Sequence, residues 1–168
     1  MNQTAFHSPA LKIKLLEDLA PIIEQARLGG QTVVFANGCF DLIHVGHVRY
    51  VEGAKALGDI LVAGINSDES VAALKGSGRP LQNAAERAEI MASFGCVDYV
   101  LVFPDATVDR LLMRLKPDVH AKGTDYTSES VPERETVRAY GGRVAIVGDA
   151  KSHSSRDLIG SIIAKCRR

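Results

Sequence analysis

The stretch TVVFANGCFDLIHVGH, residues 32–47, decides how the rest of the chain is interpreted. It opens with a β-branched and aromatic run at 32–36, which is typical of a buried strand. Gly38 lets the backbone approach a ligand closely, and Gly46 suits the first turn of a helix that we expect to end at Gly58. A strand, a polar loop and a helix in this order are the first unit of an α/β fold.

The alternation of strand and helix continues along the chain. Further strands are predicted at residues 59–65, 99–103, 118–121 and 143–147. Between and after them, helix-start clusters and apolar periodicity predict helices from residue 66, from Asn83 with its capping partner Glu86, and over 108–115, 131–140 and 158–166. This pattern predicts an α/β, Rossmann-like, doubly wound sheet of five mostly parallel strands with helices on both faces.

The first 30 residues precede this alternation. Apolar residues at helical spacing over 15–26, followed by Gly29 and Gly30, predict a helix. We expect residues 1–30 to form a helical extension that covers the sheet or meets a partner. The whole chain, 1–168, is expected to be one domain, because this length matches one domain and no linker is visible.

The charge and cysteine content exclude several classes of protein. Twenty basic and twenty acidic residues give a net charge of zero, which excludes a broad basic surface for nucleic acid or membrane but not a local anion site. Three cysteines, Cys39, Cys96 and Cys166, are odd in number and unpatterned, which favours a reduced protein. Since no apolar run approaches the roughly 20 residues of a membrane span and no secretory signal is visible, a cytoplasmic location is expected.

Polar residues follow four of the predicted strands. Parallel sheets bind ligands at the carboxyl ends of their strands, so these segments should meet at one edge. Their polar and cationic residues are Asn37, Asp41, His44 and His47; Asn66, Ser67 and Asp68; Lys122 and Asp125; and Lys151, His153, Ser154 and Ser155.

His44 and His47 are three residues apart, so both project to one side of a helical turn. Beside free backbone N–H groups at a helix start, two imidazoles form a compact site for polyphosphate. Two other interpretations stay open. Each histidine could be structural, or the pair could be half of a zinc site, for which only Cys39 lies nearby although zinc needs three or four ligands.

The motif His44-Val45-Gly46-His47 after a strand resembles the His-x-Gly-His signature of the cytidylyltransferase-like nucleotidyltransferase superfamily. The fuller sequence is similar to one branch, the D-glycero-β-D-manno-heptose 1-phosphate adenylyltransferases, and the similarity covers roughly residues 31–147. The other segments that carry it are residues 56–59, 64–68, 75–80, 96–100 and 122–126.

This resemblance implies transfer of AMP from ATP to a sugar 1-phosphate, with pyrophosphate as the leaving group and Mg²⁺ as cofactor. The attacking phosphate is already anionic, so catalysis would consist of alignment and charge stabilisation. His44, His47 and Lys75 are the expected catalytic residues. The resemblance also implies a separate sugar kinase that supplies the substrate, since the chain has no room for one, and a homodimer.

The remaining expected site residues are assigned by the same resemblance. The nucleotide-binding set is Asn37, Gly38, Cys39, Phe40, Asp41, Gly46, Lys122, Gly123, Asp125, Ser154 and Ser155. The substrate-binding set is Asn66, Asp68, Arg79 and Arg87. Cys39 is expected in a tight turn rather than as a nucleophile, Arg87 could instead form an ion pair with Glu86 or Glu89, and no protein side chain is assigned to metal.

Two departures from the family pattern leave alternatives open. Ser154-Ser155-Arg156 stands where the family has Ser-Thr-Thr, and residues 148–153 are unusually polar for the heptose branch. A cytidylyltransferase for glycerol 3-phosphate or another small phosphate ester is the alternative enzyme. A non-catalytic nucleotide-binding domain and a metal module are the alternatives of other classes.

Overall fold

A computed structural model describes residues 8–150 and 153–166 and contains one five-stranded sheet, with every pairing parallel. The strands are β1 (Val33–Gly38), β2 (Ile60–Asn66), β3 (Tyr99–Phe103), β4 (Val119–Gly123) and β5 (Arg143–Val147). Their order in the sheet is β3-β2-β1-β4-β5. The direction of chain winding therefore reverses between β1 and β4, and the predicted doubly wound architecture is confirmed.

Seven α-helices are described: α1 (Leu16–Leu28), α2 (Val45–Lys55), α3 (Asp68–Lys75), α4 (Ala84–Ala92), α5 (Asp109–Leu115), α6 (Arg134–Ala139) and α7 (Ser155–Cys166). Local capping explains where two of them begin. Ser67 accepts a hydrogen bond from the Ser70 N–H before α3, and Asn83 and Glu86 exchange hydrogen bonds at the start of α4. The capping box predicted from residues 83–86 is confirmed.

The two faces of the sheet bury separate apolar clusters, because successive strand residues point in opposite directions. Val34 and Ala36 face a cluster formed with α2 and α4. Val33 and Phe35 face a second cluster formed with α1, α5 and α6. Helices therefore cover both faces, as predicted.

The N-terminal helix covers the sheet, which was one of its two expected roles. Leu19, Ala20 and Ile23 of α1 are buried in the second cluster. A 3₁₀ turn, Pro9–Lys12, which the sequence pattern did not predict, precedes α1. After this turn the Lys14 N–H donates to the Val100 carbonyl over 2.8 Å, so this segment pairs with the outer edge of β3.

The predicted C-terminal helix forms, but its apolar side is not packed on the sheet. Leu158, Ile162 and Ile163 are 39%, 50% and 46% exposed, and no described residue of α7 is buried. Cys166 at its end is exposed, whereas Cys96 is half-buried against the first cluster. Across residues 8–150 and 153–166, none of the helices combines the length and the apolar character that a membrane crossing requires.

Candidate active site

His44 and His47 lie side by side at the start of α2. Their ring centroids are 3.9 Å apart with 28° between the ring planes, as their spacing predicts. The backbone N–H of His44 points to Nδ1 of His47 over 3.4 Å. Because a backbone N–H can only donate, Nδ1 of His47 accepts, and the proton of the neutral ring sits on Nε2. His47 thus offers an Nε2–H donor to a ligand.

Both histidines favour the neutral form. Burial lowers the pKa of His47 to about 4, and the charge of His44 acts in the same direction. Burial also lowers the pKa of His44, with a further contribution from the charge of His153. At neutral pH this pair therefore contributes N–H donors rather than full positive charges. Nδ1 of His44 is buried and has no hydrogen-bond partner among the described residues.

A third histidine, His153, stands beside His44. Their ring centroids are 6.4 Å apart with 26° between the planes. The segment around His153 is tied to the His44 loop, because Oγ of Ser155 donates to the Leu42 carbonyl over 3.1 Å. Ser154 caps α7 by accepting from the Asp157 N–H over 3.1 Å. The two predicted serines thus reach the expected edge, while Lys151, also expected there, lies outside the described residues.

Asp41 anchors a neighbouring loop. It accepts from the N–H groups of Leu81 and Gln82 over 2.8 and 3.0 Å, and from Nε of Arg79 over 2.6 Å. Burial tends to raise the pKa of Asp41, but these hydrogen bonds and the Arg79 charge outweigh it, so the pKa is lowered. Asp41 and Arg79 thus bind each other and join the end of β1 to the loop before α4. Their predicted contacts with the nucleotide and the substrate stay predictions.

Phe40 and Gly38 shape the turn after β1. Phe40 has a positive φ of 48° and is buried, with its ring centroid 5.4 Å from that of His47. A Cβ at position 38 would lie 3.2 Å from the Phe40 ring, so glycine makes room for this aromatic side chain. Phe40 therefore packs against His47, and Gly38 leaves space for the Phe40 ring.

Arg87 lies inside the protein rather than at the surface of the site. Its side chain is 0% exposed. It donates to the carbonyls of Gln82 and Cys39 over 2.9 and 2.6 Å, and to Oδ1 of Asp68 over 2.7 Å. In this structure Arg87 positions the surrounding segments, and its contact with a substrate stays a prediction. The ion pair considered with Glu86 or Glu89 forms with Asp68 instead, because folding places α3 beside the start of α4.

Lys122 and Asn37 take part in a buried polar cluster. Nζ of Lys122 lies 3.3 Å from Oδ1 of Asn37 and 3.3 Å from Oε2 of Glu133. Nε2 of His120 lies 3.1 Å from the same Asn37 oxygen. Burial lowers the pKa of His120 to about 3, and the Lys122 charge adds to this effect. This cluster contains two of the expected nucleotide-binding residues, Asn37 and Lys122. It also contains His120 and Glu133, which no sequence motif indicated.

The other predicted residues lie around these clusters. Nδ2 of Asn66 is buried and donates to Oγ of Ser70 over 3.0 Å. Lys75 is the exposed last residue of α3, directly before the loop that the glycines of 76–80 predict. Gly123 ends β4, and Asp125 is exposed just beyond it. A Cβ at Gly46 would lie 3.0 Å from the His44 ring, so this glycine allows the ring to pack on the helix.

The sequence of this chain matches a family model described as cytidylyltransferase-like over residues 35–164. The chain belongs to the cytidylyltransferase-like family. The predicted membership of the nucleotidyltransferase superfamily is thereby confirmed.

Curated relatives of this cytidylyltransferase-like chain are longer proteins. The bifunctional protein HldE of Geobacter metallireducens is 51% identical over 152 residues, which cover 90% of this chain and 31% of the relative. HldE of Syntrophotalea carbinolica is 48% identical over 152 residues, with the same two coverages. The chain thus spans about a third of the length of the curated relatives it matches.

A solved structure shares the fold. The lipopolysaccharide core biosynthesis protein from Thermoplasma volcanium superposes with a TM-score of 0.63 at 22% identity, over 73% of this chain and 100% of that chain. At 22% identity this structural similarity is evidence for the fold alone, and it confirms the predicted Rossmann-like architecture.

The cytidylyltransferase-like site offers donors rather than metal ligands. Within the described residues, no group of three or more His, Cys, Asp or Glu side chains is arranged to hold a metal ion. Asp41, the carboxylate nearest in sequence to the histidine pair, already accepts three hydrogen bonds. Such a site can bind an anion through N–H groups.

Proposed function

We propose that this cytidylyltransferase-like protein transfers AMP from ATP to D-glycero-D-manno-heptose 1-phosphate or a close relative, giving an ADP-sugar and pyrophosphate. The observation that carries the proposal is the pair of stacked, neutral imidazoles of His44 and His47 at the start of α2. The choice of substrate is supported by the resemblance to the heptose branch and by relatives named HldE that are 51% and 48% identical to this chain.

The histidine pair suits this reaction because it supplies donors where negative charge develops. An oxygen of the sugar phosphate forms a bond to the α-phosphorus, while the bond from that phosphorus to the bridging oxygen of pyrophosphate breaks. The attacking oxygen carries no proton that must be removed, so no general base is needed. In our proposal, Nε2–H of His47 and the N–H groups at the start of α2 hold the phosphate oxygens in line.

Magnesium would enter this site bound to ATP. Mg²⁺ is commonly held by substrate phosphates and waters with few carboxylates. This agrees with a site in which Asp41, the carboxylate nearest in sequence to the histidine pair, anchors a loop. When bound, the ion neutralises charge on the leaving pyrophosphate. Lys75, exposed at the end of α3 before a glycine-rich loop, is proposed to reach the same phosphates.

The substrate has to come from a kinase, because a sugar 1-phosphate is made by phosphoryl transfer to a sugar. The relatives named bifunctional are about three times as long as the region they share with this chain. We propose that a sugar kinase supplies the heptose 1-phosphate and that the reaction takes place in the cytoplasm. The homodimer stays a prediction.

A screen of pyrophosphate release tests the proposal. ATP and CTP would each be combined with heptose 1-phosphate, glucose 1-phosphate and glycerol 3-phosphate in the presence of Mg²⁺. We expect release with ATP and heptose 1-phosphate, confirmed by detection of the ADP-sugar, and none in a double variant that lacks both His44 and His47. Turnover only with CTP and glycerol 3-phosphate would refute the heptose assignment. Binding of ATP without turnover of any acceptor would indicate the non-catalytic alternative.

A further inference from the structure

His153 belongs to a different element from His44 and His47 but shares their site. It immediately precedes the Ser154 cap of α7, whereas the other two rings stand at the start of α2. The ring of His153 is nearly parallel to that of His44, at 26° and a centroid distance of 6.4 Å. The side chain itself is exposed. Three imidazoles therefore gather at this edge of the sheet, with His44 the common neighbour of the other two.

Residues before and after His153 make contacts with other elements. Before it, the carboxylate of Asp149 pairs with Arg49 of α2, and the Asp149 carbonyl accepts from Oγ1 of Thr124 over 2.7 Å. After it, Oγ of Ser155 donates to the Leu42 carbonyl. The residues that flank His153 thus contact α2, the segment after β4 and the loop after β1, all of which border the proposed nucleotide site.

Gly46 lies beside both His44 and His153. A Cβ at position 46 would lie 3.5 Å from Cβ of His153 and 3.0 Å from the His44 ring. Any larger side chain at this position would extend into the space shared by these two histidines. The glycine of the His-x-Gly-His motif therefore makes room for the His44 ring, and His153, from the segment before α7, packs at van der Waals distance beside it.

The charges of these rings also indicate what fits among them. Burial is the main cause of the lowered pKa of His44, and the charge of His153 is the second cause. In the same way, the charge of His44 adds to the effect of burial in lowering the pKa of His47. A positive charge on one ring disfavours a positive charge on its neighbour, and an anion bound among the rings would offset this effect. A triphosphate carries more anionic oxygens than two imidazole N–H groups can satisfy, so a third donor has a ligand atom to bind.

We propose that His153 is a third phosphate-binding residue, which contacts the polyphosphate tail of the nucleoside triphosphate together with His44. This inference rests on the proposed nucleotidyltransferase function and deepens it. It assigns a ligand contact to the segment in which this chain departs from the family pattern.

Calorimetric titration with inorganic tripolyphosphate and Mg²⁺ tests the proposal without any sugar acceptor. We expect His153→Ala to raise the Kd about 10-fold, equivalent to about 1.4 kcal/mol. His153→Gln, which keeps an N–H donor, should recover part of the loss. Lys165→Ala, which removes an exposed cation from the other end of α7, is the matched control and should bind like the unaltered protein. In steady-state assays, His153→Ala should raise the KM for ATP by a similar factor.

Separate outcomes identify which proposal fails. Equal Kd and KM values for His153→Ala and the unaltered protein would overturn the role of His153, as would the absence of tripolyphosphate binding by the unaltered protein. A loss of affinity equal in His153→Ala and Lys165→Ala would also overturn it, since it would reflect charge alone. Normal binding that depends on His153, with no turnover of any acceptor, would support His153 and refute the proposed transferase.

Discussion

Nζ of Lys122 lies 3.3 Å from Oε2 of Glu133, and the two side chains are only 7% and 8% exposed. Lys122 is in β4, at the carboxyl end of the sheet, and Glu133 directly precedes α6. The carboxylate neutralises an ammonium group that would otherwise be buried without a counter-charge. A buried ion pair of this kind is most costly to disrupt when one partner is removed alone.

Glu133→Ala should therefore lower the free energy of unfolding by about 3–5 kcal/mol, because it leaves Lys122 charged and buried. Glu135→Ala is the matched control, since Glu135 is 68% exposed and pairs with Arg134 at the surface. It should change stability by no more than about 0.5 kcal/mol. Urea denaturation followed by circular dichroism measures both. Equal losses of unfolding free energy in the two variants would show that the buried pair of Lys122 and Glu133 contributes no more to stability than a surface pair.

Replacing Arg87 should loosen the contacts among the loop after β1, α3 and α4. Arg87→Ala leaves Asp68 and two carbonyl oxygens without their donor, so we expect a loss of about 3 kcal/mol or more. Arg87→Lys keeps the charge but not the planar guanidinium group with its several donors. The stability of this variant should lie between that of Arg87→Ala and that of the unaltered protein. Arg110→Ala removes an exposed arginine paired with Asp105 and serves as control. A fully stable Arg87→Lys protein would contradict this account.

Removal of either stacked imidazole should reduce turnover while the protein stays folded. We expect His44→Ala and His47→Ala each to lower kcat by roughly 10²–10³, the range observed when one preorganised transition-state donor is lost. His47→Gln, which retains a side-chain N–H, should keep more activity than His47→Ala. Pyrophosphate release measures the rates, and circular dichroism verifies the fold. Unchanged turnover in both alanine variants would exclude the role given to the pair.

Stability should fall as the pH falls, in part because of His120. Its pKa is about 3 in the folded protein, against an ordinary value of 6.5. Between these values the unfolded chain binds a proton that the folded chain does not, so His120 costs about 1.4 kcal/mol of stability for each unit of decrease. His47, with a pKa of about 4, acts in the same direction.

His120→Gln should flatten this pH dependence between pH 6 and pH 4. The measurement is the free energy of unfolding in urea at several pH values, compared as slopes so that any constant loss in the variant cancels. Equal slopes for the variant and the unaltered protein would show that His120 does not titrate on unfolding.

Patterns between near neighbours in the chain were sufficient to predict the strands and the α-helices, although not the 3₁₀ turn Pro9–Lys12. The strands at 99–103 and 143–147 lie where apolar and β-branched runs indicate, and Asn83 and Glu86 cap α4 as their spacing predicts. The proximity of His44 and His47 follows from the same kind of local rule, because three residues make about one helical turn.

Contacts between distant residues were not predictable in this way. Arg87 is paired with Asp68 rather than with the glutamates beside it, and Asp41 binds the loop at 79–82. Nothing near Lys122 in the sequence identifies Glu133 as its partner. In each case the partner is chosen by which elements the sheet order brings together, and burial then requires that the buried charges be paired.

The sequence by itself thus determined the α/β class, the order of strands and helices and the family of this protein, because these depend on periodicity and on a short motif. Tertiary structure alone decided which predicted site residues hold the loops, and it alone placed His153 beside His44. The physical reason is that hydrogen bonds and charge pairs form through space, between segments whose separation along the chain carries no information about their distance in the fold.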